Sequence, residues 1–142
     1  MELYAKIKDG KLTAEASQLV RQFLNDRNGK TVRIEITETG EEKLQQYGFL
    51  YGAVYPLLQK GIKDVTGENA SIEDIDTLMK MRFWYTEIID FETGQVTRLP
   101  NQKRKMNKSE LAEYTENVLN FASEYLGVQI ANKTEAEMVI IA

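Results

Sequence analysis

Apolar and polar residues alternate along this chain at both of the periods that regular structure imposes. Residues 2–8 alternate in steps of two, with Leu3, Ala5 and Ile7 on one side and Glu2, Tyr4, Lys6 and Lys8 on the other, which predicts a half-buried strand. Asp9-Gly10 reads as a turn. Thr13 offers an oxygen to a helix start, and Ala16, Leu19, Val20, Phe23 and Leu24 form that helix's apolar stripe before Asn28-Gly29 ends it. Thr31–Thr37 returns to period two, a second strand with Val32, Ile34 and Ile36 inward.

Glu41 to Lys60 is the longest helical pattern, with Leu44, Tyr47, Leu50, Tyr51, Val54, Tyr55 and Leu58 recurring on one face. Pro56 lacks the N–H that would bond the Gly52 carbonyl four residues back, and its ring crowds that carbonyl, so a kink is expected there and a stop at Gly61. Ser71 caps a further helix, with Asp74 favourable to its dipole and a stripe of Ile75, Leu78, Met79 and Phe83. Trp84–Phe91 and Gln95–Leu99 read as strands joined by a Glu92-Thr93-Gly94 hairpin loop, with Pro100 closing the second. Asn107 and Glu110 have capping-box spacing before a stripe of Leu111, Tyr114, Val118, Phe121, Ala122 and Tyr125, and Gly127 ends that helix. Thr134–Ala142 fits either a short helix or a tucked-in strand. The pattern predicts an α+β fold: a small mixed sheet of about four strands packed with three to four helices, in a single domain over 1–142.

Composition narrows the chemistry. With 142 residues, 42% hydrophobic and 28% charged, the chain suits one globular core. The longest apolar runs, such as Met138–Ile141, are too short to span a membrane, and Met1-Glu2-Leu3-Tyr4 is unlike a signal peptide. There is no cysteine, hence no disulfide and no thiolate metal site, and a cytoplasmic location is predicted. The absence of histidine removes the commonest general acid/base and the commonest metal ligand. Carboxylates, lysines, tyrosines or an oxygen-held Mg²⁺ remain; no cofactor is predicted. A net charge of −4 argues against a protein basic all over but leaves room for a local basic patch.

Four groups of residues are candidates for function. Lys103, Arg104, Lys105 and Lys108 lead into a helix N-terminus, where free backbone N–H groups and the dipole favour phosphate. The competing readings are a solvated loop, or pairing with Glu110, Glu113 and Glu116. Phe83, Trp84 and Tyr85 lie beside Lys80 and Arg82, a combination able to stack single-stranded bases, against the plainer reading of core aromatics. Tyr47, Tyr51 and Tyr55, four apart, would line a dimer contact or form an ordinary core stripe with hydroxyls at its edge. Asp90 and Glu92, two apart, would hold Mg²⁺ for phosphodiester hydrolysis or simply be solvated beside a turn.

Two stretches resemble a known family. Lys30-Thr31-Val32-Arg33-Ile34-Glu35-Ile36 followed by Leu44-Gln45-Gln46-Tyr47-Gly48-Phe49-Leu50-Tyr51-Gly52, and later Lys105–Tyr114 running on to Phe121–Val128, are similar in order to the NinB/Orf family of phage recombination proteins. Leu44, Gln46, Leu50, Met106, Glu110, Leu111, Tyr114, Gly127 and Val128 match its patterns. Tyr51 stands where tryptophan is usual, Tyr47 replaces asparagine, and Gln102, Lys103 and Arg104 replace a Ser-Thr lead-in. The resemblance implies an α+β homodimer and a non-catalytic recombination mediator. Such a protein would bind single-stranded DNA and contact single-strand-binding protein, in the cytoplasm of a bacterial host. With Lys103, Arg104, Lys105, Lys108 and Arg82 as contacts, that is the expectation. A protein–protein adaptor and a Mg²⁺-dependent nuclease are the alternatives.

Overall fold

The structure, a computed structural model, describes residues 1–129 and 138–141, apart from the side chains of Arg104 and Ile141. In chain order the elements are β1 (Glu2–Ala5), α1 (Ala14–Asn25), α2 (Glu41–Phe49), a π-helical turn (Leu50–Val54), α3 (Tyr55–Thr66), α4 (Ile72–Phe83), β2 (Tyr85–Ile89), β3 (Val96–Pro100), a 3₁₀ turn (Lys103–Lys105), α5 (Lys108–Leu126) and β4 (Met138–Ile141). The predicted α+β class holds, with α2, the π turn and α3 running on as one helical segment. The four described strands form two separate antiparallel pairs, β1 with β4 and β2 with β3, in place of one mixed sheet.

Helices supply most of the core. Leu44, Tyr47, Leu50, Val54, Tyr55 and Leu58 from the α2–α3 segment meet Ile75 and Met79 of α4 and Leu111, Tyr114, Val118 and Ala122 of α5. Each fully buried leucine, such as Leu50, Leu58 or Leu111, contributes about 1.5–3 kcal/mol relative to leaving it in water. Val139 of β4 reaches the same core, and Tyr4, its cross-strand partner on β1, packs beside it with its ring 4.9 Å from that of Tyr47. The inward side of β1 is therefore the Tyr4 side, and Ile7, expected inward, is 60% exposed. Leu3 and Tyr4 are both apolar enough to face a core, so alternation alone did not decide between them.

Pro56 acts as its covalent structure requires. The Tyr55 N–H bonds the Leu50 carbonyl, five residues back. This widened π turn accommodates a proline that cannot donate to Gly52. Gly61 does not stop the helix; it is buried within α3, where a Cβ would lie 3.2 Å from the Leu126 Cβ. The stop falls at Gly67, in the left-handed conformation at φ 76°.

Caps behave as local chemistry predicts. Thr13 accepts from the Ala16 N–H, and complete capping boxes close the N-termini of α4 (Ser71 with Asp74) and α5 (Asn107 with Glu110). Gly127 ends α5 at φ 65°. The predicted hairpin is present, paired from Tyr85↔Pro100 to Ile89↔Val96. Asp9 and Gly10 both take positive φ, 52° and 71°, in a two-residue turn that lets Lys8 and Lys11 exchange backbone bonds.

The predicted strand at 31–37 is a correction. Among the described residues the segment has no ladder partner, and Val32, Ile34 and Ile36 are exposed, Ile36 at 91%. β-propensity describes fit to a neighbouring strand, and the described fold offers this segment no neighbour. Of the ambiguous 134–142 stretch, Met138–Ile141 is a strand; 134–137 and 142 lie outside the described residues.

Candidate nucleic-acid interface

The structure scatters the basic run. Lys103 turns inward: its residue is only 7% exposed, and its ammonium is bound to Asp76 Oδ1 in a close ion pair. Its Nζ also lies 5.1 Å from the centre of the Tyr51 ring, in cation–π range. A lysine so placed does not present its charge to a phosphate chain. Lys105 is exposed. Lys108 is exposed but pairs with Glu42 Oε2 at 2.6 Å. Arg104 belongs to the same 3₁₀ turn, and its side chain lies outside the described set. The acidic partners are thus on α2 and α4, not the α5 residues Glu110, Glu113 and Glu116 that sequence proximity offered; Glu110 is occupied with the cap of α5.

Asp76 is the centre that the sequence reading missed. Its Oδ1 accepts from Tyr55 at 2.7 Å, from Tyr51 at 3.3 Å and from Lys103, while its Oδ2 faces Lys80 Nζ at 3.2 Å. A carboxylate only accepts, so Tyr55 commits its proton to Asp76. The 2.7 Å contact between the Tyr55 and Tyr114 hydroxyls must then have Tyr114 as donor. Tyr114, Tyr55 and Asp76 form a directed chain through the core. Burial pushes the Asp76 carboxyl up, but the Lys103 charge, the bonds from Lys103 and Tyr55, and Lys80 together hold it below the ordinary carboxylate value. Burial, reinforced by Tyr114 and Asp76, drives the Tyr55 phenol far above its usual value, so it stays protonated. One signal for Asp76 was available in the sequence. It falls at the same helical phase as Ile72, Ile75 and Met79, a charged residue inside an apolar stripe with Lys80 one turn on.

The same network settles the tyrosine ladder. Tyr47 and Tyr55 are buried and Tyr51 is half-buried, their rings stepping along the core at 6.4 and 5.0 Å. They do not line an outer dimer contact in this protomer; they are core with polar tips, the plainer of the two readings.

Arg82 sits differently. It is exposed at the C-terminal end of α4, its guanidinium 4.7 Å from the Phe121 ring centre, 5.6 Å from Tyr125 and 6.0 Å from Phe83. Tyr125 is 58% exposed and stacks on Phe121 at 5.0 Å. A second stack lies close by, with Arg98 4.2 Å from the Tyr85 ring and donating to the Met81 carbonyl at 3.4 Å. Phe83 and Trp84 pack against the core as the plainer reading held, with the Trp84 indole N–H donating to the Gln102 carbonyl at 3.1 Å. Lys105 and Lys108 lie at the opposite end of α5, about 20 Å from Phe121 at 1.5 Å per residue. At 3.6 residues per turn Lys108 also lies about 140° around α5 from Phe121, so the exposed cations neither share one pocket nor line one face of the helix.

Asp90 Oδ1 accepts from the backbone N–H of Glu92 at 2.8 Å, which fixes the hairpin turn. Among the described residues no three acidic side chains gather as metal ligands. Among them, too, no helix is long and apolar enough to cross a membrane.

No protein-family model, curated protein or solved structure matches the chain. The positions that carry the family resemblance have structural duties here. Leu44, Leu50, Met106, Leu111 and Tyr114 are core, Glu110 and Gly127 are caps, and the Gln46 amide donates to the Lys108 carbonyl at 2.9 Å. They speak to how the chain folds.

Proposed function

We propose that the protein is a non-catalytic, single-stranded nucleic-acid-binding protein of the recombination-mediator type, with its base contacts on the Arg82–Phe121–Tyr125 stack. The observation that carries this reading is that cluster: an exposed arginine over two rings, one of them largely open to solvent. Aromatic faces stack bases of any sequence, and a guanidinium beside them adds cation–π attraction and phosphate pairing. Exposed Lys105, in the turn that precedes α5, is suited to a separate phosphate contact on the same strand, while Lys108 would have to exchange its ion pair with Glu42 for one. The resemblance of residues 30–128 to NinB/Orf proteins supports the same reading, with single-strand-binding protein as a further partner.

The test is fluorescence anisotropy of a labelled oligothymidine across a salt series. Tyr125→Ala is expected to weaken binding about 5- to 150-fold, the range for losing one stacked base, without changing the salt slope. Lys105→Ala is expected to reduce the slope by about one. Absence of wild-type binding at low salt, or binding indifferent to both Arg82→Ala and Tyr125→Ala, overturns the proposal.

A second reading, a protein–protein adaptor, is favoured by a specific observation. Every residue of β2 beyond Tyr85 and every residue of β3 is exposed, including Ile88, Ile89, Val96 and Leu99, and Phe91 at the tip is fully exposed. Apolar surface of this kind on a projecting hairpin marks an interaction site. An oligonucleotide assay that shows no retention at low salt selects this reading.

A further inference from the structure

We infer that the chain self-associates by strand addition, residues 31–37 of one copy forming a third strand on the hairpin β2–β3 of a second copy. The inference is independent of nucleic-acid binding.

Two features of the same protomer are each incomplete. The first is Thr31–Thr37, strictly alternating and β-branched, yet without a strand partner among the described residues. Its apolar side is Val32 (40% exposed), Ile34 (69%) and Ile36 (91%), and its polar side includes Arg33 and Glu35. The second is the hairpin, two strands wide among the described residues, with apolar residues open to solvent on both faces. Isolated two-stranded hairpins are marginal in water, and an edge strand leaves a row of unpaired N–H and C=O groups. A partnerless strand and an open edge are complementary halves of one sheet, and a two-fold axis joins each copy's strand to the other's hairpin.

The faces match in detail. Cross-strand partners share a face, so Glu87 and Arg98 lie together on one side of the hairpin, their side chains 4.0 Å apart, while Thr86, Ile88, Thr97 and Leu99 lie on the other. With Arg33 opposite Glu87, the charged face reads Arg98–Glu87–Arg33 across three strands, alternating in sign. The same register brings Val32, Ile34 and Ile36 onto the face of Ile88 and Leu99 in either strand direction. The outer edge of β2 is the suitable one, because Pro100 removes a backbone donor from β3.

The test uses light scattering on a sizing column at micromolar to high-micromolar concentrations. Wild type is expected at twice the 16.3 kDa chain mass. Ile34→Lys with Ile36→Lys should return it to the chain mass with the thermal melt of the protomer retained, since both residues are exposed there. Arg33→Glu and Glu87→Arg should each shift the dimer constant at least tenfold toward monomer, because each opposes like charges. Mixed one to one, the two variants should regain much of the dimerisation each lost alone, since position 33 again meets an opposite charge at position 87 in both sheets of the heterodimer. A wild type at the chain mass throughout overturns the inference. So does a dimer untouched by the Ile34/Ile36 substitution, or a mixture that regains nothing.

Discussion

Lys103 and Asp76 give the sharpest test of how this interior is built. Asp76→Asn removes the charge that holds the Lys103 ammonium in the core but keeps an oxygen for the Tyr55 hydroxyl. Removing one partner of a buried pair costs about 3–5 kcal/mol, because the other charge is left uncompensated. Lys103→Met is expected to cost less, about 1.5–3 kcal/mol for one hydrogen bond to a charged group, because Asp76 keeps Tyr51, Tyr55 and Lys80. The double variant should cost clearly less than the sum, with a coupling of about 1–3 kcal/mol, since each substitution removes the reason for the other group's burial cost. Urea unfolding of the wild type and three variants, with unchanged m-values, measures all four corners. A Lys103→Met variant within about 0.5 kcal/mol of wild type, the range of ordinary surface substitutions, would refute the inward placement. Strict additivity would refute the pairing. The result bears on function too. Lys103→Glu would set a second carboxylate against Asp76, so lost nucleic-acid binding in a Lys103 charge reversal would report an unfolded chain, not a missing phosphate contact.

Acid should expose the same centre. Asp76 has its carboxyl held below the unfolded value of about 3.8, so between the two values only the unfolded chain binds the proton, and stability rises with pH across that window. The contribution is complete above the unfolded value and is lost as pH falls through the folded one; melts from pH 5 downward should fall more steeply for wild type than for Asp76→Asn. Gly127→Ala should destabilise by about 1–2 kcal/mol in urea unfolding, since φ is 65° there. Gly52→Ala, where a Cβ meets nothing within 4 Å, should instead stabilise by up to about 1 kcal/mol.

Local chemistry was legible in the sequence wherever neighbours along the chain decide the outcome. Ser71 with Asp74 and Asn107 with Glu110 close caps that need only a three-residue spacing. Glu92-Thr93-Gly94 turns the hairpin, and Pro56 forces a departure from the α ladder because it lacks a donor wherever it sits. The α5 stripe from Leu111 to Ala122 faces the core because a long helix with one apolar side has one way to bury it. What remained open in the sequence was set by segments far apart in the chain. Tyr4 and not Leu3 faces inward because Val139, at the other end of the chain, pairs with it and brings the core to that side. Residues 31–37 have the pattern of a strand and no strand partner among the described residues, since a ladder needs a second backbone and propensity cannot supply one. Lys103 was indistinguishable in sequence from Lys105 and Lys108. It is buried because the 3₁₀ turn lays it against Asp76 of α4, with the Tyr51 ring beside its charge. A side chain's charge is written in the sequence, but whether solvent or a buried carboxylate neutralises it depends on contacts that only the folded chain assembles.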